Sequence, residues 1–142
     1  MHQEKHKIEY VLDKNININE MVNKNQKIPE EEILILYSNE IYDGPIEGLC
    51  EYNKNKYYFL TIEGNSLNKK RPFLLIQLSK EQLDNEELLH SKYLEYIENH
   101  EYTTESSVSY RKGAEWDKYH KTCDKFSDQI IKKDQIIGWF EK

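Results

Sequence analysis

The sequence predicts an α+β fold, in which an antiparallel meander of four to five strands is packed by two helices and a C-terminal strand lies on a sheet edge. Three patterns lead to this prediction. Between residues 33 and 79 apolar side chains alternate with a period of two, as in half-buried strands. After residue 80 the period becomes 3.6, which is typical of an amphipathic helix. The apolar segment at residues 136–140 predicts a final strand.

The first 32 residues are rich in Lys, Asn and Glu and are predicted to form a partly ordered N-terminal arm. Within this arm HKIEYVL favours a strand, and NINEMVNKNQ favours one or two helical turns. The arm is predicted to end at Pro29 and the three glutamates that follow it, residues 30–32. Residues 33–142 are then predicted to form a single α+β domain, since a chain of 142 residues has the usual length of one domain.

The predicted meander consists of four segments: ILILYSNEIY, IEGLCEY, KYYFLTIE and PFLLIQLS. The second and third are joined by residues 53–56, a good hairpin turn because Asn tolerates left-handed backbone geometry. Residues 63–71 form a longer connection with Gly and Asn as turn formers. The final strand is predicted to pair with an edge of this sheet and thereby protect it.

Ser79 and Gln82 have the spacing of a capping box, so the first long helix is predicted from Lys80 to about Asn99. Its apolar stripe consists of Leu83, Leu89, Tyr93 and Ile97, whereas Glu86 and the other charged residues are assigned largely to other faces. Residues 102–113 are predicted to be a loop. A second helix is predicted over residues 114–127, with an apolar face formed by Trp116, Tyr119, Cys123 and Phe126.

The net charge of −6, from 26 acidic and 20 basic residues, repels nucleic-acid phosphates and anionic lipid. We therefore expect neither nucleic acid nor a membrane as a direct partner. The longest apolar runs are too short to span a bilayer, and residues 1–10 lack the apolar core of a secretory signal. The two cysteines form no CxxC pair and are expected to be reduced. A soluble, cytoplasmic protein is predicted.

Chemical signatures are weak. The sequence has no glycine-rich phosphate loop, HExxH motif or EF-hand loop, and neither a cofactor nor a metal site is predicted. His120 and Cys123, at i and i+3, could supply two metal ligands or a base and a thiol. The alternative is that both are structural, since no second pair of ligands exists. His90 and His100 are about 15 Å apart along a helix, too far for one ion.

The segment YDGPIEGLCEY, residues 42–52, is interpreted as a shaped corner between two strands. Pro45 fits a strand entrance, and Gly48 predicts a bulge or a close approach by another group. Glu47 and Glu51 point to the same side as Leu49 and are expected to be solvated or part of a binding face. If the corner is functional, Tyr42, Asp43 and Gly44 would contact a ligand or partner.

Two further candidate binding sites follow from residue type. Aromatic anchors dominate protein interfaces, so Tyr57 and Tyr58 are candidates among 11 tyrosines. Arg111, beside Tyr110 in the predicted Ser- and Thr-rich loop, is a candidate for binding an anionic group because its guanidinium forms paired hydrogen bonds.

The order of motifs also resembles a family of small uncharacterised bacterial and phage proteins. These carry a YDGP-x-x-G signature, here YDGPIEG, followed by a hairpin, here EYNKNKYYF, an LSKEQ-type helix start and a terminal GWF. The resemblance covers residues 36–98 and 137–140. The turn reads NKN where an Asn-Gly turn would be usual. The resemblance implies a bacterial or phage origin and an α+β single domain.

These features favour a non-enzymatic interaction protein that binds a partner protein or a small molecule, such as an immunity protein or a counter-defence inhibitor. Two alternatives stay open at this point. A small hydrolase or transferase acting on a nucleotide would need His120, Cys123, Asp43 or Glu47 to converge in one pocket. The other alternative is a regulatory subunit of a larger complex. The oligomeric state is open, and a homo-oligomer is one of the alternatives.

Overall fold

The computed structural model describes residues 7–41, 45–61, 71–98, 119 and 121–142. Its strands and helices are β1 (Tyr10–Leu12), α1 (Ile18–Lys24), β2 (Leu34–Ile41), β3 (Pro45–Tyr52), β4 (Asn55–Thr61), β5 (Pro72–Ile76), α2 (Lys80–Glu98), β6 (Gln129–Ile131) and β7 (Ile136–Glu141). Short 3₁₀ turns, Glu30–Glu32 and Lys133–Gln135, precede β2 and β7. The α+β fold class predicted from the sequence is confirmed.

Two compact units are formed by internal contacts. The helical unit comprises Met1–Val11 and Ser79–Gln129, and the sheet unit comprises Leu12–Leu78 and Ile130–Lys142. The prediction of an arm over residues 1–32 and a domain over residues 33–142 stays a prediction. Two residues of that predicted arm, Met21 and Ile28, are 2% exposed and thus fully buried.

The sheet unit contains a five-stranded antiparallel sheet in the order β2-β3-β4-β5-β7. The predicted meander is therefore confirmed, and the C-terminal strand lies on a sheet edge beside β5 as expected. The hairpin between β3 and β4 turns through Asn53 and Lys54, which both have positive φ (51° and 68°). Two consecutive left-handed residues give the tight turn whose twist matches that of the flanking strands.

One face of this sheet carries an aromatic core. The ring of Phe73 stacks on Phe140 at 5.2 Å between centroids and meets Phe59 edge-on at 5.8 Å. Cys50 and Ile28 complete the buried cluster with Leu75. Burial raises the pKa of the Cys50 thiol to about 12, so this cysteine behaves as a small apolar core residue.

In the helical unit, α2 begins where the capping box predicted. The backbone N–H of Gln82 donates to Ser79 Oγ at 3.1 Å, and the N–H of Ser79 donates to Gln82 Oε1 at 2.9 Å. Of the predicted second helix, only Tyr119 and residues 121–124 are described as helical, and Tyr119 and Cys123 are buried as the spacing predicts. No helix among the described residues has the length and apolarity needed to span a membrane.

The strands β1 and β6 form a second, two-stranded sheet, of which the sequence predicted only one strand. β1 lies within the predicted strand HKIEYVL, but its neighbour β6 was not predicted. The two strands are parallel: Gln129 N–H donates to Glu9 O and Asp13 N–H donates to Ile131 O, so the partners advance in the same direction along both strands.

Candidate functional site

The predicted tyrosine anchors on β4 lie in two different environments. Tyr58 is 0% exposed, and its hydroxyl donates to Glu47 Oε2 at 2.7 Å, while Asn39 Nδ2 donates to the same hydroxyl at 3.5 Å. Tyr57 is half-buried and packs against Tyr52, with 6.2 Å between ring centroids. Because its ring is enclosed, Tyr58 offers no surface to a partner in this structure, and only Tyr57 keeps an exposed part.

Five of the candidate residues lie outside the described residues: Tyr42, Asp43, Gly44, Tyr110 and Arg111. His100 and His120 also lie outside the described residues, and with His120 the proposed pairing of His120 with Cys123. Around the YDGP corner the structure describes the end of β2 at Ile41 and the start of β3 at Pro45. Pro45 therefore stands at a strand entrance, as the sequence predicted.

The expectation that Glu47 is solvated is wrong. The predicted side of the strand is correct: Glu47 and Leu49 share one face of β3, and Cys50 faces the buried cluster on the other. However, Glu47 is only 5% exposed. A buried carboxylate needs a hydrogen-bond donor, and the Tyr58 hydroxyl supplies one from the adjacent strand. The pair therefore stabilises the sheet interior.

A similar correction applies to Glu86 on α2, which is 3% exposed and accepts a hydrogen bond at 2.9 Å from the hydroxyl of Tyr10. It lies three residues from both Leu83 and Leu89, and this spacing places it on the same helix face as the apolar stripe. Tyr93, assigned to that stripe, is instead 40% exposed. The buried face of α2 is thus rotated from the predicted one and includes a carboxylate.

Other titratable side chains surround Glu86 in the helical unit. Burial lowers the pKa of His90, and the charge of Glu86 partly opposes that effect. Burial also raises the pKa of Tyr119, and the neighbouring Cys123 adds to this through charge and a hydrogen bond. A neutral His and a Tyr that keeps its proton are the states expected of a buried hydrogen-bonded cluster at neutral pH. Cys123 is 0% exposed, which fits the structural interpretation of this residue.

Metal ligation finds no support in the part of the chain that the structure describes. There, no three His, Cys, Asp or Glu side chains come together as ligands of one ion would. Cys123 belongs to the helical unit and Glu47 to the sheet unit. The other two residues of the candidate set for a hydrolase or transferase, Asp43 and His120, lie outside the described residues.

The feature of the sheet unit that sequence reasoning missed is the exposed edge of β2. This strand is the first in the sheet order, and no other described strand pairs with its outer side. It carries Leu34 and Leu36, which are 60% and 39% exposed. The register of β2 against β3 shifts at three places, one of them between Ile35 and Tyr37, so that Leu36 lies in an irregularity of the ladder.

Gly48 of β3 explains how these irregular strands fit together. A Cβ atom on this residue would lie 2.1 Å from the carbonyl oxygen of Tyr37 and 2.7 Å from the Cα of Ser38. The predicted close approach at Gly48 is therefore confirmed, and the approaching group is the backbone of β2. Only a residue without a side chain permits this contact.

Negative charge lies at the start of the β2 edge. Glu30, Glu31 and Glu32 form the 3₁₀ turn immediately before the strand. Glu30 pairs with Lys142 at 3.7 Å. Glu31 and Glu32 are exposed and have no ion pair within the described residues. The edge thus combines an outer side with no neighbouring strand among the described residues, two exposed leucines and an acidic end.

No known protein family, curated protein or solved structure matches this sequence. The resemblance to small bacterial and phage proteins with a YDGP-x-x-G signature therefore stays a prediction.

Proposed function

We propose that this protein acts without catalysis, by binding an extended segment of a partner protein along the outer edge of β2. The observation that carries this proposal is the open edge of β2 with its two exposed leucines. An unpaired strand edge presents a row of backbone donors and acceptors, and natural proteins use such edges to add a strand from a partner.

The backbone of β2 supplies the affinity in this mode of binding. Each new backbone hydrogen bond contributes roughly 0.5–1.5 kcal/mol net. The partner segment also covers Leu34 and Leu36. Burying a fully exposed leucine contributes about 1.5–3 kcal/mol, and these two contribute the part that corresponds to their exposed fractions of 60% and 39%. Together these terms exceed the contribution of any exposed ion pair, so the leucines and the strand edge determine the affinity.

Charge determines the direction and chemistry of the bound segment. Glu31 and Glu32 lie at the start of β2 and carry no ion pair in the described part of the chain. A segment that pairs antiparallel to β2 ends beside these glutamates, so basic residues at its C-terminal end complement them. The partner is therefore a chain with an extended, partly apolar segment followed by Lys or Arg. The net charge of −6 speeds its encounter with such a partner.

Within this function, the finer assignment is an immunity or counter-defence type inhibitor of bacterial or phage origin. It rests on the small size, acidity and tyrosine content of the chain together with its sequence resemblance. The buried environments of Glu47 and Glu86 support a binding role over a catalytic one, since each carboxylate is held by a tyrosine hydroxyl inside the fold.

The experiment is a screen of a displayed library of random peptides against the full-length chain. We expect enriched peptides to alternate apolar and polar residues and to carry Lys or Arg at the C-terminal end. The affinity of one enriched peptide is then measured by fluorescence anisotropy. Leu36→Lys should weaken it at least tenfold, because a charge replaces an apolar contact that the strand would bury.

The matched control is Leu88→Lys on α2, a leucine that is 48% exposed and lies outside the sheet unit. It should leave the affinity unchanged. The peptide is also made in two versions, methylated on the odd-numbered or on the even-numbered backbone nitrogens. Only one version should lose binding, because only one set of nitrogens donates hydrogen bonds to β2. Equal losses for Leu36→Lys and Leu88→Lys, or enriched peptides without any alternation, would refute binding at the β2 edge.

A further inference from the structure

The helical unit contains a cavity of about 170 Å³ that none of the features described above uses. Its lining comes from Ile8 and Tyr10, the first turns of α2 and the segment 125–129. Ligand pockets for nucleotides and drug-sized molecules usually enclose about 300–1,000 Å³. At roughly 30 Å³ per water molecule, this cavity has room for about five to seven non-hydrogen atoms. Its occupant is therefore small.

The walls of the cavity are fixed by hydrogen bonds within the unit. Gln82 Nε2 donates to Gln129 Oε1 at 3.3 Å, and Gln129 Nε2 donates to the carbonyl oxygen of Ser127 at 3.2 Å. The Tyr10 hydroxyl is committed to Glu86, so Tyr10 contributes ring surface to the lining rather than a polar group. Such a wall is in place before any ligand arrives.

Three charged or amide side chains on the lining keep their hydrogen-bonding capacity. They are the Glu81 carboxylate, the Asn85 amide and the Lys125 ammonium. Within the described part of the chain these three side chains form no hydrogen bond or ion pair, with each other or with other residues. The cavity thus offers one negative group, one positive group and an amide that both donates and accepts.

We propose that this cavity binds a small zwitterion, of the size and chemistry of a free amino acid with a short side chain. The ligand carboxylate bonds to Lys125 and the ligand ammonium to Glu81, while Asn85 fixes its orientation. Each is a charge-assisted hydrogen bond, the stronger class of such bonds. The volume of about 170 Å³ matches glycine, alanine or serine.

The test is an amide chemical-shift titration of the full-length protein by NMR. L-alanine should cause saturable shifts at Asn85, Phe126 and Gln129, which line the cavity. Acetate, which lacks the ammonium, and methylammonium, which lacks the carboxylate, should each bind at least tenfold more weakly. L-phenylalanine should cause smaller shifts at these residues, because its ring does not fit within the cavity.

Two charge-removing variants then assign the contacts. Lys125→Met and Glu81→Gln should each weaken alanine binding about ten- to a hundredfold, the expected loss for one hydrogen bond to a charged group. Lys121→Met, an exposed lysine one turn earlier that does not line the cavity, is the matched control and should have no effect.

Three results would overturn the proposal. If acetate binds as tightly as alanine, the site recognises an anion alone. Equal shifts with phenylalanine would mean that the volume of the cavity does not select the ligand. Without a saturable shift from any amino acid, the cavity holds only water.

Discussion

Gly48→Ala is the substitution for which the structure predicts the clearest effect. The new Cβ would lie 2.1 Å from the carbonyl oxygen of Tyr37 and 2.7 Å from the Cα of Ser38. Ordinary contact begins near 3.4 Å, so one strand must move by more than 1 Å. Both obstructing atoms belong to the backbone of β2, and no side-chain rotation can relieve the clash.

The cost follows from two terms. Overpacking a well-filled interior costs typically about 1–3 kcal/mol. Separating β2 from β3 at this point also removes about two backbone hydrogen bonds, each worth roughly 0.5–1.5 kcal/mol net. We therefore expect the free energy of unfolding to fall by about 2–6 kcal/mol, a large share of the roughly 5–15 kcal/mol of a typical domain. Urea denaturation measures this difference directly.

Gly138→Ala is the matched control, because its Cβ would meet a different kind of obstacle. The nearest atom, at 2.7 Å, is Cδ1 of Ile28, the far end of a flexible side chain. We expect a smaller loss, which Ile28→Val should partly relieve because this change removes the obstructing atom. If Gly48→Ala costs no more than Gly138→Ala, the close approach of the β2 backbone does not constrain this sheet.

Three other substitutions test separate contacts. Tyr58→Phe should cost about 1–3 kcal/mol, because it removes one hydrogen-bond donor from a buried carboxylate. Tyr57→Phe should cost less than about 0.5 kcal/mol, and urea denaturation compares the two variants. Ser79→Ala should cost about 1 kcal/mol by removing a helix cap, while Ser91→Ala, on the exposed face of the same helix, should not destabilise the protein. Thermal unfolding followed by circular dichroism measures both, and equal effects would contradict this prediction. Since burial raises the pKa of Cys50 to about 12, the folded chain holds that proton at a pH where the unfolded chain has lost it. The free energy of unfolding should therefore fall between about pH 9 and pH 12. Cys50→Ala should make this fall with pH less steep, and an unchanged pH dependence would contradict the prediction.

Local patterns predicted much of the fold because they act over short distances. The capping box at Ser79 and Gln82 involves groups three residues apart, and it was confirmed at atomic detail. The hairpin at Asn53 was predicted from the tolerance of Asn for left-handed geometry, and its φ is 51°. Alternation predicted the first four strands of the antiparallel sheet, since one side of each strand must face a core, and the apolar segment at residues 136–140 predicted the fifth.

The errors concern charged residues whose partners are distant in sequence. Glu86 is buried because Tyr10, 76 residues away, donates a hydrogen bond to it. Glu47 is buried because Tyr58 does the same from the next strand. A carboxylate is normally placed at the surface, and nothing in its local sequence reveals a tyrosine that compensates for burial.

The candidate site was also hard to predict for a physical reason. Tyr57 and Tyr58 are adjacent in sequence, and a strand turns one towards each face. The sequence named both as anchors, yet only Tyr57 keeps an exposed part. The open edge of β2 depends on the order of strands in the sheet, which alternation does not specify. Exposed leucines at an edge and buried ones in a centre have the same local pattern.

The strand order of the sheet unit separates its folding into near and distant steps. β3 and β4 join through a turn of two residues, whereas Ile76 of β5 pairs with Ile136 of β7 about sixty residues later. Each doubling of a closed loop costs only about 0.6 kcal/mol in chain entropy, so the distant pairing costs roughly 3 kcal/mol more than the hairpin. The hairpin strands therefore form a template at little entropic cost. The aromatic stack of Phe73 on Phe140 is a contact whose stabilisation offsets the chain entropy lost when β7 pairs with β5.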